Sequence, residues 1–249
     1  METNIQTWLA KPSGQCCLKG TLHSGTPQGE IRPVAGVETY ISRPSNPNGY
    51  ILLYFPDVWG MFTNGLLVMD GFADAGYTVL GLDYFRGDPV WKHRKNRHDN
   101  SNLDFDYEAW KNKHTSFADE AMPRWVEAVK RGYGRPGTKY ACIGYCFGAP
   151  YICDLLATDA ISAGAFAHPA FLQERHFAKL QKPLFLSCSE KDHTFPTAAR
   201  RKSNRHHERK RQQTPIAVIL GVEHGFALRG NMEDSYERYV KEQTCCSLV

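Results

Sequence analysis

No window of about 18 uninterrupted apolar residues occurs in the 249-residue chain, so the sequence offers no candidate membrane-spanning helix. Its start, Met1-Glu2-Thr3-Asn4-Ile5-Gln6, lacks a basic segment followed by an apolar run, which argues against a secretory signal and for a soluble, cytoplasmic protein. The eight cysteines, at 16, 17, 142, 146, 153, 188, 245 and 246, include no C-x-x-C pair and are too sparse for a disulfide scaffold. Most are therefore expected as free thiols in a reducing compartment. No pair of histidines has metal-ligand spacing with a carboxylate, so no metal is expected. Acidic residues are scarce between 200 and 211, where seven lysines and arginines face Glu208 alone. That stretch also lacks interleaved aromatics, so it reads as a solvated surface helix and gives no sign of nucleic-acid binding. The end, Cys246-Ser247-Leu248-Val249, fits a prenylation box only loosely, because valine is unusual in last place and no polybasic run adjoins it.

What the chain does have is enough apolar material, 42% hydrophobic and 12% aromatic residues, for one large α/β core. Residues 1–30 are rich in Gly, Ser, Thr and Pro and are expected as an irregular arm or edge hairpin, with the domain proper over 31–249. An edge strand is expected over 34–41. The run 50–55 is apolar on both faces, as in the centre of a parallel sheet. Further strands are expected over 77–82, 139–143, 161–167, 183–187 and 215–220, and helices over 64–75, 117–131, 231–241 and after the strand ending at 143. Residues 90–114 are polar and aperiodic and read as an inserted flap. The class is α/β, a mostly parallel central sheet flanked by helices.

The apolar run Ala141-Cys142-Ile143 leads into Gly144-Tyr145-Cys146-Phe147-Gly148, and Tyr151, Ile152 and Leu155 follow at helical spacing. Strand, sharp turn and helix in that order make a nucleophile elbow, with sulfur where serine is usual. The residues two before and two after such a nucleophile lie where a Cβ would clash, so only small ones fit. Gly-x-Cys-x-Gly also suits a buried structural cysteine. An acid and a base must come from elsewhere in the chain.

Sites in a parallel sheet gather at the carboxyl ends of strands, and five expected ends carry polar chemistry: Asp57, Arg86, Cys146, Asp192 and His224. Nucleophile, acid and histidine follow one another in the order of the α/β-hydrolases. Cys146 would attack an acyl carbon as thiolate. A free thiol, with a pKa of about 8.5, needs a base for that. His224 supplies the base and Asp192 would orient its ring. The backbone N–H groups of Phe147 and Val58 are the expected oxyanion donors. Asp192 also suits a helix cap, Glu190 and His193 compete with it, and His224 also suits a surface loop. His168 suits either a hydrogen-bonded core residue or a pocket wall. His93, His98, His114, His206 and His207 are expected to be exposed. Trp59 and Tyr145, beside Asp57 and Cys146, join Asp57, Arg86 and His168 as candidates for substrate binding or thiol modulation.

Five stretches taken together resemble the dienelactone hydrolase family, its fungal branch in particular. They are Phe55-Pro56-Asp57-Val58-Trp59-Gly60, Leu82-Asp83-Tyr84-Phe85-Arg86-Gly87-Asp88, Gly144-Tyr145-Cys146-Phe147-Gly148, Glu190-Lys191-Asp192-His193-Thr194-Phe195-Pro196 and Glu223-His224-Gly225-Phe226-Ala227. The resemblance, running from about Val37 to Tyr239, implies a single-domain α/β-hydrolase that opens lactones or esters through a cysteine acyl-enzyme without a cofactor. The implied partner is a small lactone or ester, with no nucleic acid or membrane, and a homodimer is left open. Where Asp57 stands, the bacterial enzymes carry a glutamate that helps activate the thiol. Arg86 matches the first of the family's two substrate-binding arginines, whereas the second falls on Leu228, with Arg229 one residue further on. Two other functions fit the same fold. The aromatics Trp59, Phe62, Tyr84, Phe85 and Trp91 suit an isomerase, cyclase or decarboxylase acting on a polyketide-like intermediate. A homologue that binds a small molecule without turnover is the other. A redox role is disfavoured, because Cys142 on a strand and Cys153 two turns along a helix are poorly placed to resolve Cys146.

Overall fold

The computed structural model describes residues 9–10, 23–95, 99, 101–210 and 215–247, the side chains of 204–210 and 246 excepted. Most of the expected 1–30 arm, with Cys16, Cys17, His98 and the side chains of His206 and His207, lies outside the described residues. Eight strands form one sheet: β1 (Glu30–Val34), β2 (Val37–Ser42), β3 (Ile51–Phe55), β4 (Thr78–Leu82), β5 (Tyr140–Tyr145), β6 (Ala163–Ala167), β7 (Leu184–Lys191) and β8 (Ile216–Glu223). Their order is β1-β2-β4-β3-β5-β6-β7-β8, parallel from β4 to β8 and antiparallel at β1 and β2. The helices are α1 (Thr63–Asp74), α2 (Tyr107–Tyr133), α3 (Ala149–Leu156), α4 (Glu174–Lys179), α5 (Thr197–Lys210), α6 (Phe226–Arg229) and α7 (Ser235–Ser247). This is the α/β-hydrolase architecture.

Every residue of β3 is buried, as its two-sided apolar run requires. Consecutive strand residues point to opposite faces. The Tyr54 ring reaches Gly65 of α1, where a Cβ would stand 2.9 Å from the hydroxyl, while Phe55 meets Trp125 of α2 and Tyr151 of α3. So α1 covers one face, and α2 and α3 cover the other.

Three expectations are corrected. The single strand over 34–41 is a hairpin: Ala35 and Gly36 both have positive φ, 50° and 78°, and Val34 pairs with Val37 across them. Two such residues make the tight turn that matches strand twist, and the Pro33 of β1 masked the first strand in the sequence. The flap over 90–114 ends in helix, since α2 begins ten residues before the expected 117 and takes in its last eight residues. Asp106 caps it by accepting the Ala109 N–H at 3.0 Å. Its buried stripe runs Trp110, His114, Ala118, Ala121, Trp125 and Val129, so His114 is wholly buried rather than exposed, and a histidine on the apolar stripe hid the helix period. His93 is likewise half-buried, its ring stacked on Phe105 at 4.3 Å. The basic helix α5 is not solvated throughout. Arg200 is buried and donates to the carbonyls of Ser189 at 2.7 Å and Phe195 at 3.1 Å, clamping the loop between β7 and α5.

Candidate active site

The carboxyl ends of β5 and β6 are level, because Tyr145 pairs with Ala167, whereas β7 runs four residues beyond Ser187, the partner of Ala167. The next residue after β5 is Cys146, and its φ is +47°, the left-handed backbone expected of an elbow nucleophile. Four of the five described non-glycine residues with positive φ, Arg86, Cys146, His168 and Phe171, lie just past strand ends on this rim. Strain of this kind persists only where surrounding structure enforces it, and it gathers at functional sites.

The glycines enforce it here. A Cβ on Gly148 would stand 2.5 Å from the Phe55 carbonyl oxygen, and one on Gly144 would stand 2.8 Å from Ile152 and 3.2 Å from the Gly148 backbone. The first obstacle is main chain of the central strand and cannot step aside; the second is partly a flexible side chain. Gly148→Ala is therefore expected to destabilise the fold by about 2 kcal/mol and to displace Cys146, with Gly144→Ala milder on both counts. Thermal melting and kcat/KM measured on the two variants check this ordering.

Asp192 follows β7 and His224 follows β8. The His224 Nδ1 stands 3.1 Å from both Asp192 carboxylate oxygens, and both side chains are buried. A carboxylate partner places the proton on Nδ1 and leaves Nε2 as the base. Asp192 is itself held by Ser189 Oγ at 3.0 Å and by the N–H groups of Thr194 at 2.9 Å and Phe195 at 3.2 Å. The Thr194 hydroxyl has one proton and lies 2.6 Å from Asp192 Oδ1, 2.8 Å from the Pro169 carbonyl and 3.1 Å from His224 Nδ1. With Nδ1 protonated, that hydroxyl can only accept from the ring, so its proton goes to Asp192 or Pro169. Burial would raise the Asp192 carboxyl, but the charge and hydrogen bond of His224 and the hydrogen bonds of Thr194 outweigh it and hold the group well below the usual carboxylate range. Asp192 thus stays ionised and serves as more than a helix cap. Glu190 is exposed and accepts the Gly221 N–H at 2.9 Å, and the exposed His193 sets its ring 5.3 Å from His224.

Among the described residues the Val58 N–H has no acceptor, and Phe147 begins a helix whose first N–H groups have none within it. Neither N–H is thus taken up by an acceptor among the described residues. The Cys146 carbonyl accepts the Ala170 N–H at 3.1 Å. Asp57 accepts the Trp59 N–H at 2.9 Å with one oxygen, and its other oxygen makes an ion pair with Arg229, both side chains being sealed from solvent. The Arg229 guanidinium also lies 5.3 Å over the Trp59 ring.

Leu228 and Arg229, one residue apart, face different ways. α6 is a single short turn in which the Leu228 and Arg229 N–H groups both bond the Gly225 carbonyl, so Arg229 turns toward Asp57 while Leu228 is buried. Arg86, by contrast, is exposed and lies 4.4 Å over Phe117 of α2. Tyr84 and Phe85 pack on Phe147, each at 5.1 Å, with Tyr84 also against Tyr151 and Phe85 stacked on Trp110. They support the elbow from behind. Burial pushes up the thiols of Cys142, Cys153 and Cys188, the last to about 12, which makes them inert packing groups. Thr194, Ser189 and Arg200 are neighbours of the site that sequence reasoning does not assign to it, and Arg229 enters there only as the residue one beyond the family's second substrate-binding arginine.

Known proteins share this arrangement of the chain. Dienlactone hydrolase 1 of Gibberella moniliformis is 41% identical over 239 residues, 94% of this chain and 91% of its own length. Dienlactone hydrolase 2 of the same fungus is 38% identical over 244 residues, 97% and 94% of the two chains. The crystal structure of a dienelactone hydrolase-like phosphotriesterase from metagenomic libraries superimposes with a TM-score of 0.62, covering 85% of this chain and 91% of that one at 16% identity, a likeness of fold. The family model for the dienelactone hydrolases matches residues 37–247, and by that match and these relatives the chain belongs to the dienelactone hydrolase family.

Proposed function

We propose that this hydrolase opens a lactone or carboxylic ester through a thioester on Cys146, with His224 as base and Asp192 as its orienting partner. The observation that carries the reading is the buried His224–Asp192 pair, at 3.1 Å, on the rim that also holds the strained Cys146.

The Cys146 thiolate adds to the acyl carbon, and the carbonyl oxygen takes the negative charge against the N–H groups of Phe147 and Val58. Collapse breaks the bond from carbon to the ring or alkoxy oxygen, which leaves with the proton that His224 took from the thiol. In a lactone that oxygen remains tethered to the acyl group. Water, giving a proton to His224, then attacks the thioester, and the thiolate departs to leave a carboxylate. Asp57 and Arg229, paired in the resting site, tie the Val58 loop to the turn after His224. From a lactone, product one water heavier than substrate, and from an ester the separate acid and alcohol, together with an acyl adduct on the Cys146 peptide in acid-quenched turnover, is the expected result. Product of unchanged mass would replace hydrolysis by isomerisation.

A further inference from the structure

β5 and β6 are paired through Tyr145 and Ala167, so Cys146 and His168 are the next residues beyond the ends of two adjacent parallel strands. Neighbouring strands are about 5 Å apart, which sets the two backbones side by side. Both residues are left-handed, at φ +47° and +37°. The His168 ring lies 4.9 Å from the His224 ring, edge to face, 5.7 Å from Tyr145 and 5.9 Å from Phe226. It is wholly buried, and neither ring nitrogen has a hydrogen-bond partner among the described residues. A strained backbone and an unsatisfied buried imidazole at one residue touching the triad histidine are together hard to explain by packing, which a phenylalanine would serve without leaving a polar group unpaired.

We propose that His168 is a substrate-recognition residue that pairs with a hydroxyl group, so that the lactones or esters this site takes are neutral and hydroxyl-bearing. The proposal rests on the acyl-transfer reading of the same site. A neutral imidazole offers one N–H and one lone pair, and a hydroxyl can meet either, whereas a carboxylate can only accept. Burial, followed by the His224 charge, holds His168 neutral against the smaller pull of Asp192. Arg229 is engaged by Asp57, and Arg86 lies over Phe117, so neither guanidinium is set out for a substrate carboxylate as the site stands. In the strand order, β3 and β6 flank β5 on opposite sides. The oxyanion donor Val58 follows β3, so the hydroxyl sits on the side of the acyl carbon away from the carbonyl oxygen.

The test compares dihydrocoumarin with its ring-hydroxylated and ring-carboxylated derivatives on the wild-type protein, His168→Phe and His168→Asn. The readout is the ratio of kcat/KM for each derivative to that of the parent, so a general loss of rate cancels. Wild type is expected to favour at least one hydroxylated derivative by roughly tenfold or more and to disfavour the carboxylated ones, since a site built to bond a hydroxyl discriminates against the analogue lacking it. His168→Phe is expected to bring the hydroxyl ratio to about one, and His168→Asn, which keeps a donor and an acceptor, to retain part of it. A wild-type ratio near one, a preference for carboxylated derivatives, or an unchanged ratio in His168→Phe overturns the proposal. Should wild type open none of these lactones, the hydrolytic reading fails for this class. Calorimetric binding of the same compounds to Cys146→Ala then decides on His168 by the same ratios.

Discussion

Cys146→Ala is expected to lower kcat for enol lactones and short aryl esters by about 10^4- to 10^6-fold, the range seen when a covalent nucleophile is removed from an otherwise intact site. The residual rate would come from the Phe147 and Val58 donors and from binding alone. The substitution should leave the fold in place, because it deletes one buried sulfur and keeps the Cβ that the elbow already accommodates at φ +47°. Cost in stability should stay near 1 kcal/mol. The measurement is a progress curve over a substrate panel beside a thermal melt. A variant that melts like wild type and still turns over the panel at an undiminished rate would remove Cys146 from the mechanism. His224→Ala should cost about as much as Cys146→Ala, and the double variant little more, because members of a triad act as one unit.

Arg229→Leu is expected to destabilise the protein by about 3–5 kcal/mol, read as a lower urea midpoint. The Asp57 and Arg229 side chains are both sealed from solvent, so deleting the cation strands a buried carboxylate beside Trp59. Asp57→Asn should cost a similar amount by stranding the guanidinium instead. Combining Asp57→Asn with Arg229→Leu removes both charges and should recover much of the loss, since an isolated buried charge costs more than an absent pair. If the two single losses simply add in the double variant, the ion pair is not what holds these loops together. Activity should fall with stability, because the pair joins the loop bearing Val58 to the turn bearing His224.

The sequence carried the parts of this fold that depend on local pattern. β3 was legible because apolar residues on both faces demand a central position, and the elbow because two glycines bracket a cysteine at the mouth of a strand. Cys146, Asp192 and His224 could be named because each follows a run of strand-like residues. What failed did so for physical reasons. The sequence pattern starts α2 ten residues late, since His114 holds its place on the buried stripe through an Asp88 carboxylate 3.0 Å away and not through hydrophobicity. Arg200 is indistinguishable in sequence from the solvated bases, because nothing local shows that its guanidinium bonds two carbonyls at the end of β7 and one in the loop after it. The Asp57–Arg229 pair spans more than 170 residues and depends on how α6 is wound, so only the folded chain displays it. The unpaired nitrogens of His168 are likewise a property of its neighbours.

Cys146, His168, Asp192 and His224 are all buried, and the cavity of about 460 Å³ that borders His224, Phe226 and Arg229 does not have Cys146 in its lining. The thiol is thus chemically protected in the resting state. Its alkylation by iodoacetamide should proceed at the rate of the open-site thiol, set by its base His224, multiplied by the fraction of molecules that are open. The same fraction enters the Michaelis constant, because a substrate binds only the open form and its apparent affinity is weakened in proportion. Labelling of Cys146 in His224→Ala, where the thiol lacks its base, therefore gives, without any substrate, the open fraction by which the measured association constant must be divided to obtain that of the open site.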